Sequence, residues 1–387
     1  MNATRFALSL LLCGAFTSQL HAQRAPRPVE ILRRGQGTHG VASPDGSHFA
    51  YWASTGFAVF RTESRERIHV EDSRYDPNGC SDIAWSADGT RVAFSHTDGV
   101  SEYVLGTRTS RAVHQAPERR SDGYSCNVGY DPSNRVLWLE MAASPYIGRE
   151  GRTPIPVPFA GYVAFAPTAG VERVVLSAAR LSGRPAASPE LFVLDLAEEE
   201  PVPRTLALIA ASFPHIDVQG RRLCVRTSQR QLECINIADG TRRSLGSAHL
   251  YASTTSAQPF SPSGEQVLVM RDWHLYAHSF RDGSERRITN LALPGGSIAF
   301  QGATFENEAS VLLFEHYQRR RRRDPAIVRV SLRSGQRWVL LRDREQLCYL
   351  RPSGGSLFGY RTNRSSEDLV RVELETRRAR SRRVRLP

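Results

Sequence analysis

The residues of this 387-residue chain that could bind a metal, attack a carbonyl or move a proton include eleven His, six Cys and 39 carboxylates. Four of the polar positions share a setting. His39, Asp82 and Asn127 each lie four residues before a turn-like tetrapeptide, and His215 lies two before another. At the ends of short strands they would form a polar wall able to hold an ion or a polar ligand. A metal centre normally wants three or more converging ligands, so two such His give no metal or cofactor expectation. His69, His114, His274 and His278 fall on outer strands, and His96 and His316 near loops. No Cys-x-x-Cys or Cys/His cluster of zinc-ligand type occurs. A serine hydrolase would need Gly-x-Ser-x-Gly followed by an acid and a His, and that motif is absent too.

The elements that must position these residues come from a repeat. Ser43-Pro44-Asp45-Gly46 separates Gly40-Val41-Ala42 from Phe49-Ala50-Tyr51-Trp52, and Ser86-Ala87-Asp88-Gly89 separates Ile83-Ala84-Trp85 from Val92-Ala93-Phe94. Pro presets φ, Asp bonds its own backbone and Gly takes positive φ, so each copy is a turn inside a hairpin. Asp45, Gly46, Asp88 and Gly89 are therefore turn residues rather than catalytic acids or calcium ligands. Further copies begin at Asp131, Ala166, Asp217, Ser261, Glu306 and Arg351, with Gly264 and Gly354 as turn glycines. Starts at 43, 86, 131, 166, 217, 261, 306 and 351 give intervals of 43, 45, 35, 51, 44, 45 and 45 residues. That is the period of a four-stranded propeller blade.

A second hairpin follows each first one, as in Leu275–Phe280 turning at Asp282-Gly283 into Arg286–Thr289. The expected fold is all-β: one propeller of four-stranded antiparallel blades over residues 23–387. Eight blades are favoured and seven are the alternative, because the 35-residue interval after Asp131 is short and Pro-rich. Val29–Leu32 is expected to join the last sheet and close the ring. Trp52, Trp85, Tyr130 and Trp138 alternate as core between blades.

The Ser-Pro-Asp-Gly turn with its flanking Ala-Trp and Val-Ala-Phe, and the Asp282-Gly283-Ser284 and Arg287-Ile288-Thr289 segments, resemble the TolB-type, WD-like propeller repeat. The repeat is similar to the propeller of prolyl-oligopeptidase-type proteases, whose hydrolase domain has no counterpart here. Oligogalacturonate lyases share the resemblance and hold a metal through channel His. The TolB likeness implies a non-catalytic protein-interaction scaffold. The alternative is a channel-site lyase or lactonase-like enzyme on a polar carbohydrate, using His39, Asp82, Asn127 and His215.

Residues 1–22 read as a secretory signal: Arg5, an apolar run from Phe6 to Phe16, and cleavage after Ala22. A periplasmic or secreted location follows, with no transmembrane segment. Five Cys remain, and export permits disulfides. Leu223–Thr227 and Gln231–Ile235 read as a hairpin that sets Cys224 opposite Cys234, and a disulfide is expected there. Cys80 and Cys126 offer a second bridge and leave Cys348 odd.

All 51 basic residues are Arg and the net charge is +12. A complete lack of Lys fits the codon usage of a GC-rich genome better than a nucleic-acid surface, since phosphate neutralisation accepts either residue. The expected partner is another envelope protein. Arg319, Arg320, Arg321, Arg322 and Arg323, expected on a protruding loop, offer an anionic cell-surface polymer a docking point. The Arg-rich tail from Arg377 to Arg383 is read as the outer strand of the eighth blade.

Overall fold

A computed structural model describes the chain within residues 29–373, leaving out 34–39, 54–55, 72–81, 116–126, 141–145, 157–161, 166–172, 178–190, 199, 208–210, 218, 228, 251–258, 273, 290–297, 320–321, 343–345, 354 and 363–366. The described residues form 32 strands and no helix. The strands make eight four-stranded antiparallel sheets. In seven of them, four consecutive strands lie side by side, here lettered A to D from first to last. Blade two shows the plan: A is Ile83–Trp85, B is Arg91–His96, C is Gly99–Val104 and D is Thr109–Gln115. The antiparallel order puts all A–B and C–D turns on one face. The B–C hairpins and the D-to-A crossings lie on the other, called the rim face below.

The short fourth interval does not cost a blade. Blade three fits its C and D strands into Tyr146–Arg149 and Ile155–Pro156. Eight blades are present, which excludes seven.

Ring closure uses the chain's first described strand. Val29–Arg33 pairs antiparallel with Glu367–Glu373, as the fourth strand of blade eight. The C-terminal arginines therefore do not supply that strand, and residues 377–383 lie outside the described residues. The pairing shifts between Ile31 and Arg33. Such a bulge re-aims a side chain. Leu32, at the shift, is buried among Phe49, Tyr51 and Phe60 of blade one and Phe358 and Leu369 of blade eight.

The core consists of seams between blades rather than one central mass. Trp52, Phe57 and Val59 of blade one meet Ile83, Trp85, Phe94 and Tyr103 of blade two. Tyr130 and Trp138 sit in the next seam. Period-two alternation in each strand sends residues to the two faces of the sheet, and both faces meet a neighbouring blade. Central strands are consequently buried throughout, such as Val136–Glu140.

The repeated turns are built alike. The Oδ1 atom of Asp45 accepts from Ser43 Oγ at 2.6 Å and from the Ser47 N–H at 3.0 Å. Asp88 accepts from Ser86 Oγ at 2.6 Å and the Thr90 N–H at 3.0 Å. In both turns the Ser Oγ also accepts the N–H that opens strand B, at 2.9 Å. Gly46, Gly89 and Gly264 adopt φ of 73°, 68° and 71°, the left-handed region that suits Gly. In the eighth repeat the structure moves the turn. Arg351, Pro352 and Ser353 continue strand A, and Gly355 takes positive φ; Gly354 lies outside the described residues.

Candidate functional site

Inner-strand side chains leave the sheet plane toward adjacent blades, which limits what they can offer to the channel. Asp82 shows this. Its carboxylate accepts from the Ile83 N–H at 3.0 Å and from the Val128 N–H of blade three at 3.3 Å. Trp85 Nε1 likewise donates to the Val41 carbonyl of blade one at 2.9 Å. Both contacts cap backbone groups of a neighbouring inner strand, which otherwise form an unpaired edge.

Three of the four predicted channel residues are described, and they stand at two different ends of their inner strands. Asp82 and Asn127 immediately precede strand A of blades two (Ile83–Trp85) and three (Val128–Tyr130), at the rim face. His39 lies outside the described residues. His215 belongs to blade five and lies near the other end of its strand, two residues before the Asp217 turn. It is half-buried, and burial holds its pKa below the ordinary histidine value. Among the described residues no three His, Cys, Asp or Glu side chains group so as to hold a metal.

Titratable groups concentrate instead at the rim ends of the first three blades. His96 and Glu140 occupy the same register position, each four residues past the pair that opens strand B, Trp85↔Val92 and Tyr130↔Val136. Glu71 and His114 are equivalent on strand D, opposite Phe57 and Val100 near the start of strand C. Carboxylate and imidazole therefore exchange places between successive seams. Glu71 of blade one lies close enough to His96 of blade two for each to feel the other's charge. His114 of blade two meets Glu140 of blade three at 2.8 Å, and Tyr146 also donates to that carboxylate. His114 stacks on Trp138, with centroids 4.9 Å apart.

Burial and partners set the charges. Burial lowers the His96 pKa, and the Glu71 charge opposes this without reversing it. Burial pushes Glu71 upward, but bonds from His69 and Ser110 and the nearby imidazoles bring it below the usual carboxylate range. Deeper in the second seam, Glu102 is fully buried. It is compensated by Arg91, Arg111 and the Tyr130 hydroxyl, which donates at 3.1 Å. Arg111 continues to Glu150. The sequence alone does not single out these groups. Their signal is present in it nonetheless, since Glu71 and His114 are 43 residues apart and His96 and Glu140 are 44, one repeat in each case.

The basic run differs from expectation. Three of its residues lie on strands rather than on a loop: Arg319 ends strand B of blade seven (Ser310–Arg319), and Arg322 and Arg323 open strand C (Arg322–Ser331). Arg320 and Arg321 lie outside the described residues. Cys224 and Cys234 are directly opposed in register, with Cα atoms 4.1 Å apart and sulfurs joined. They are buried in the seam between blades five and six. Cys80 and Cys126 lie outside the described residues, and Cys348 is on the inner strand of blade eight.

These features define a β-propeller. No protein-family model matches the chain, and no curated protein matches it by sequence. Solved structures do match. The WD40 domain of SCAP from fission yeast is 10% identical with a TM-score of 0.56, covering 89% of this chain and 98% of that one. A eukaryotic initiation factor gives 12% and 0.55 over 87% and 85%. An oligogalacturonate lyase in complex with manganese gives 9% and 0.54 over 90% and 93%. At these identities the likeness is one of fold, and propellers host many activities.

Proposed function

We propose that this protein is an exported, TolB-like binding propeller, a scaffold without catalytic apparatus that presents its rim face to another protein of the bacterial envelope. One observation carries the reading. The carboxylates and imidazoles that crowd the rim ends of blades one to three are paired across two separate seams, where they hold neighbouring blades together. Groups engaged in this way fix the shape of a surface; they do not converge on a substrate atom, as acid–base or nucleophilic catalysis requires. The signal-like residues 1–22 and the Cys224–Cys234 pair support export, where disulfides persist.

The rival is a channel-site enzyme with His39, Asp82, Asn127 and His215. The fold likeness to the manganese-bound lyase favours it. The placement of His215 near the opposite end of its strand from Asp82 and Asn127 weighs against it.

A photo-crosslinking amino acid separates rim from opposite face. Placed at Asp98 in the B–C hairpin of blade two, it should give a discrete protein adduct in envelope preparations. Placed at Asp282 in a C–D turn, it should give none. Adducts from Asp282 alone, or from neither position, would overturn the rim-presenting scaffold.

A further inference from the structure

The face that carries the A–B and C–D turns repeats one device on four consecutive seams. In the C–D turns the residue that follows strand C is Leu196 in blade four, Ile237 in blade five, Phe280 in blade six and Leu332 in blade seven. Each of these carbonyls accepts from an arginine of the preceding blade. Arg149, ending strand C of blade three, reaches Leu196 at 3.1 Å and Glu198 at 3.3 Å. From strand D of blades four and five, Arg204 reaches Ile237 at 3.1 Å and Arg243 reaches Phe280 at 3.2 Å. Arg286 of blade six holds both Leu332 and Arg333.

A second row crosses the A–B turns, nearer the axis. Arg173, opening strand B of blade four, donates to the Gly220 carbonyl of blade five at 3.0 Å. Arg222 of blade five donates to Gly264 of blade six at 2.8 Å, and Arg221 to Ser263. In both rows the arginines reach forward, from each blade to the next in chain order.

The acceptors need such a donor. In blade five the Gly240 N–H closes the C–D turn on the Asn236 carbonyl, and the Asn236 N–H goes to Thr241. These bonds leave over the carbonyl of Ile237, a fully buried residue. An unpaired buried carbonyl is costly, and an arginine from the neighbouring blade satisfies it while tying two sheets together.

The geometry calls for guanidinium. Arg173 bonds Asp195 of its own blade through Nε at 3.4 Å while Nη1 holds Gly220. Arg222 holds Gly264 and one Glu265 oxygen from Nη1, and the other oxygen from Nη2 at 3.3 Å. Arg243 lies against the turn it grips, where a Cβ at Gly283 would collide with its Nη2. A planar fork serves several acceptors at fixed separations, whereas a Lys ammonium has one nitrogen.

We infer that these arginines are straps that bind blades three to seven into one rigid sector, and that Lys cannot replace them. The inference goes beyond the binding-propeller reading and gives the arginine excess a structural use. Carbonyls carry no formal charge, so straps such as Arg204, Arg243 and Arg286 raise the net charge while engaged within the fold. The seams joining blades eight, one and two are packed by aromatic rings instead, Phe49 on Phe358 and Phe57 on Phe94.

Hydrogen exchange on the full chain reads the straps one at a time. Arg243→Lys keeps the charge and should speed exchange of the blade-six turn, residues 280–284, about two- to tenfold, the scale of one lost hydrogen bond. Arg242→Lys, its exposed neighbour in strand D, should change that turn by less than about 1.5-fold. Native protection of the turn in Arg243→Lys, or the same acceleration from Arg242→Lys, would overturn the inference. Thermal unfolding gives a second readout. Arg204→Lys, Arg243→Lys and Arg286→Lys combined should lower Tm by about 2–5 °C. Lys at the exposed Arg242, Arg281 and Arg333 should shift it by less than about 1 °C. Equal shifts in the two triple variants would also overturn the inference. Neither measurement bears on the crosslinking pattern by which the scaffold reading is judged.

Discussion

Replacing Leu32 by Ala tests how the ring is closed. The closing strand comes from the far end of the chain, and Leu32 is 4% exposed where the bulge turns it into the seam of blades eight and one. Removing a buried Leu side chain costs about 2–5 kcal/mol, less where the site can collapse. An outer strand with a bulge can shift inward, so about 2–3 kcal/mol is expected here. At roughly 2.1 cal/mol/K per residue, the ~345 residues from Val29 to Glu373 give an unfolding entropy near 0.7 kcal/mol/K, and the expected fall in Tm is about 3–4 °C. Differential scanning calorimetry of Leu32→Ala beside Val339→Ala, a surface control at 36% exposure, provides the measurement. If both variants lose less than 1 °C, Leu32 does not hold the ring shut and the seam assignment is wrong.

Asp217 is fully buried, and desolvation raises its pKa despite N–H donors from Arg222 and Arg221. A raised carboxyl pKa gives stability that is present at low pH and lost as pH rises through the folded-state value. Asp217→Asn should therefore gain stability relative to the native chain at pH 7 and lose that advantage near pH 3; a pH-independent difference in urea midpoints would contradict this. Tyr130→Phe removes a hydroxyl bonded to the buried Glu102 carboxylate and should cost about 1.5–3 kcal/mol. A loss under 0.5 kcal/mol in denaturant titration would show that the two arginines alone satisfy Glu102. Peptide mapping without reduction should recover Cys224 linked to Cys234, and Ser at both positions should cost ~2–3 kcal/mol for so short a loop. Free thiols at both positions in oxidised protein would refute the link.

Much of the fold is legible in the sequence because propeller turns are chemically explicit. Ser43, Asp45 and Gly46 each perform a separable backbone task, and so do Ser86, Asp88 and Gly89. The copies at Glu306 and Arg351 carry weaker chemistry, and at Arg351 the turn falls later than the Pro-Ser-Gly spelling suggests. Gly355 takes the positive φ there, one residue beyond the Pro-Ser-Gly spelling. The hairpin register of Cys224 and Cys234 is readable because the two strands share one short connection.

The site is less legible. His39, Asp82, Asn127 and His215 look alike as residues near the ends of inner strands, but nothing local records that Asp82 caps Val128 on the next blade. Seam contacts join residues a full repeat apart, such as His114 and Glu140, and become visible only when repeats are aligned by register. The basic run is plain in composition, whereas the strand positions of Arg319, Arg322 and Arg323 follow from a B–C pairing that continues out to Arg319↔Arg322.

Quantifying divalent metal in the purified full-length chain, with His39→Ala and His215→Ala beside it, tests the scaffold most directly against a channel enzyme. The binding-propeller account predicts metal far below one ion per chain, unchanged in either variant. One ion per chain, lost on replacing either histidine, would contradict it.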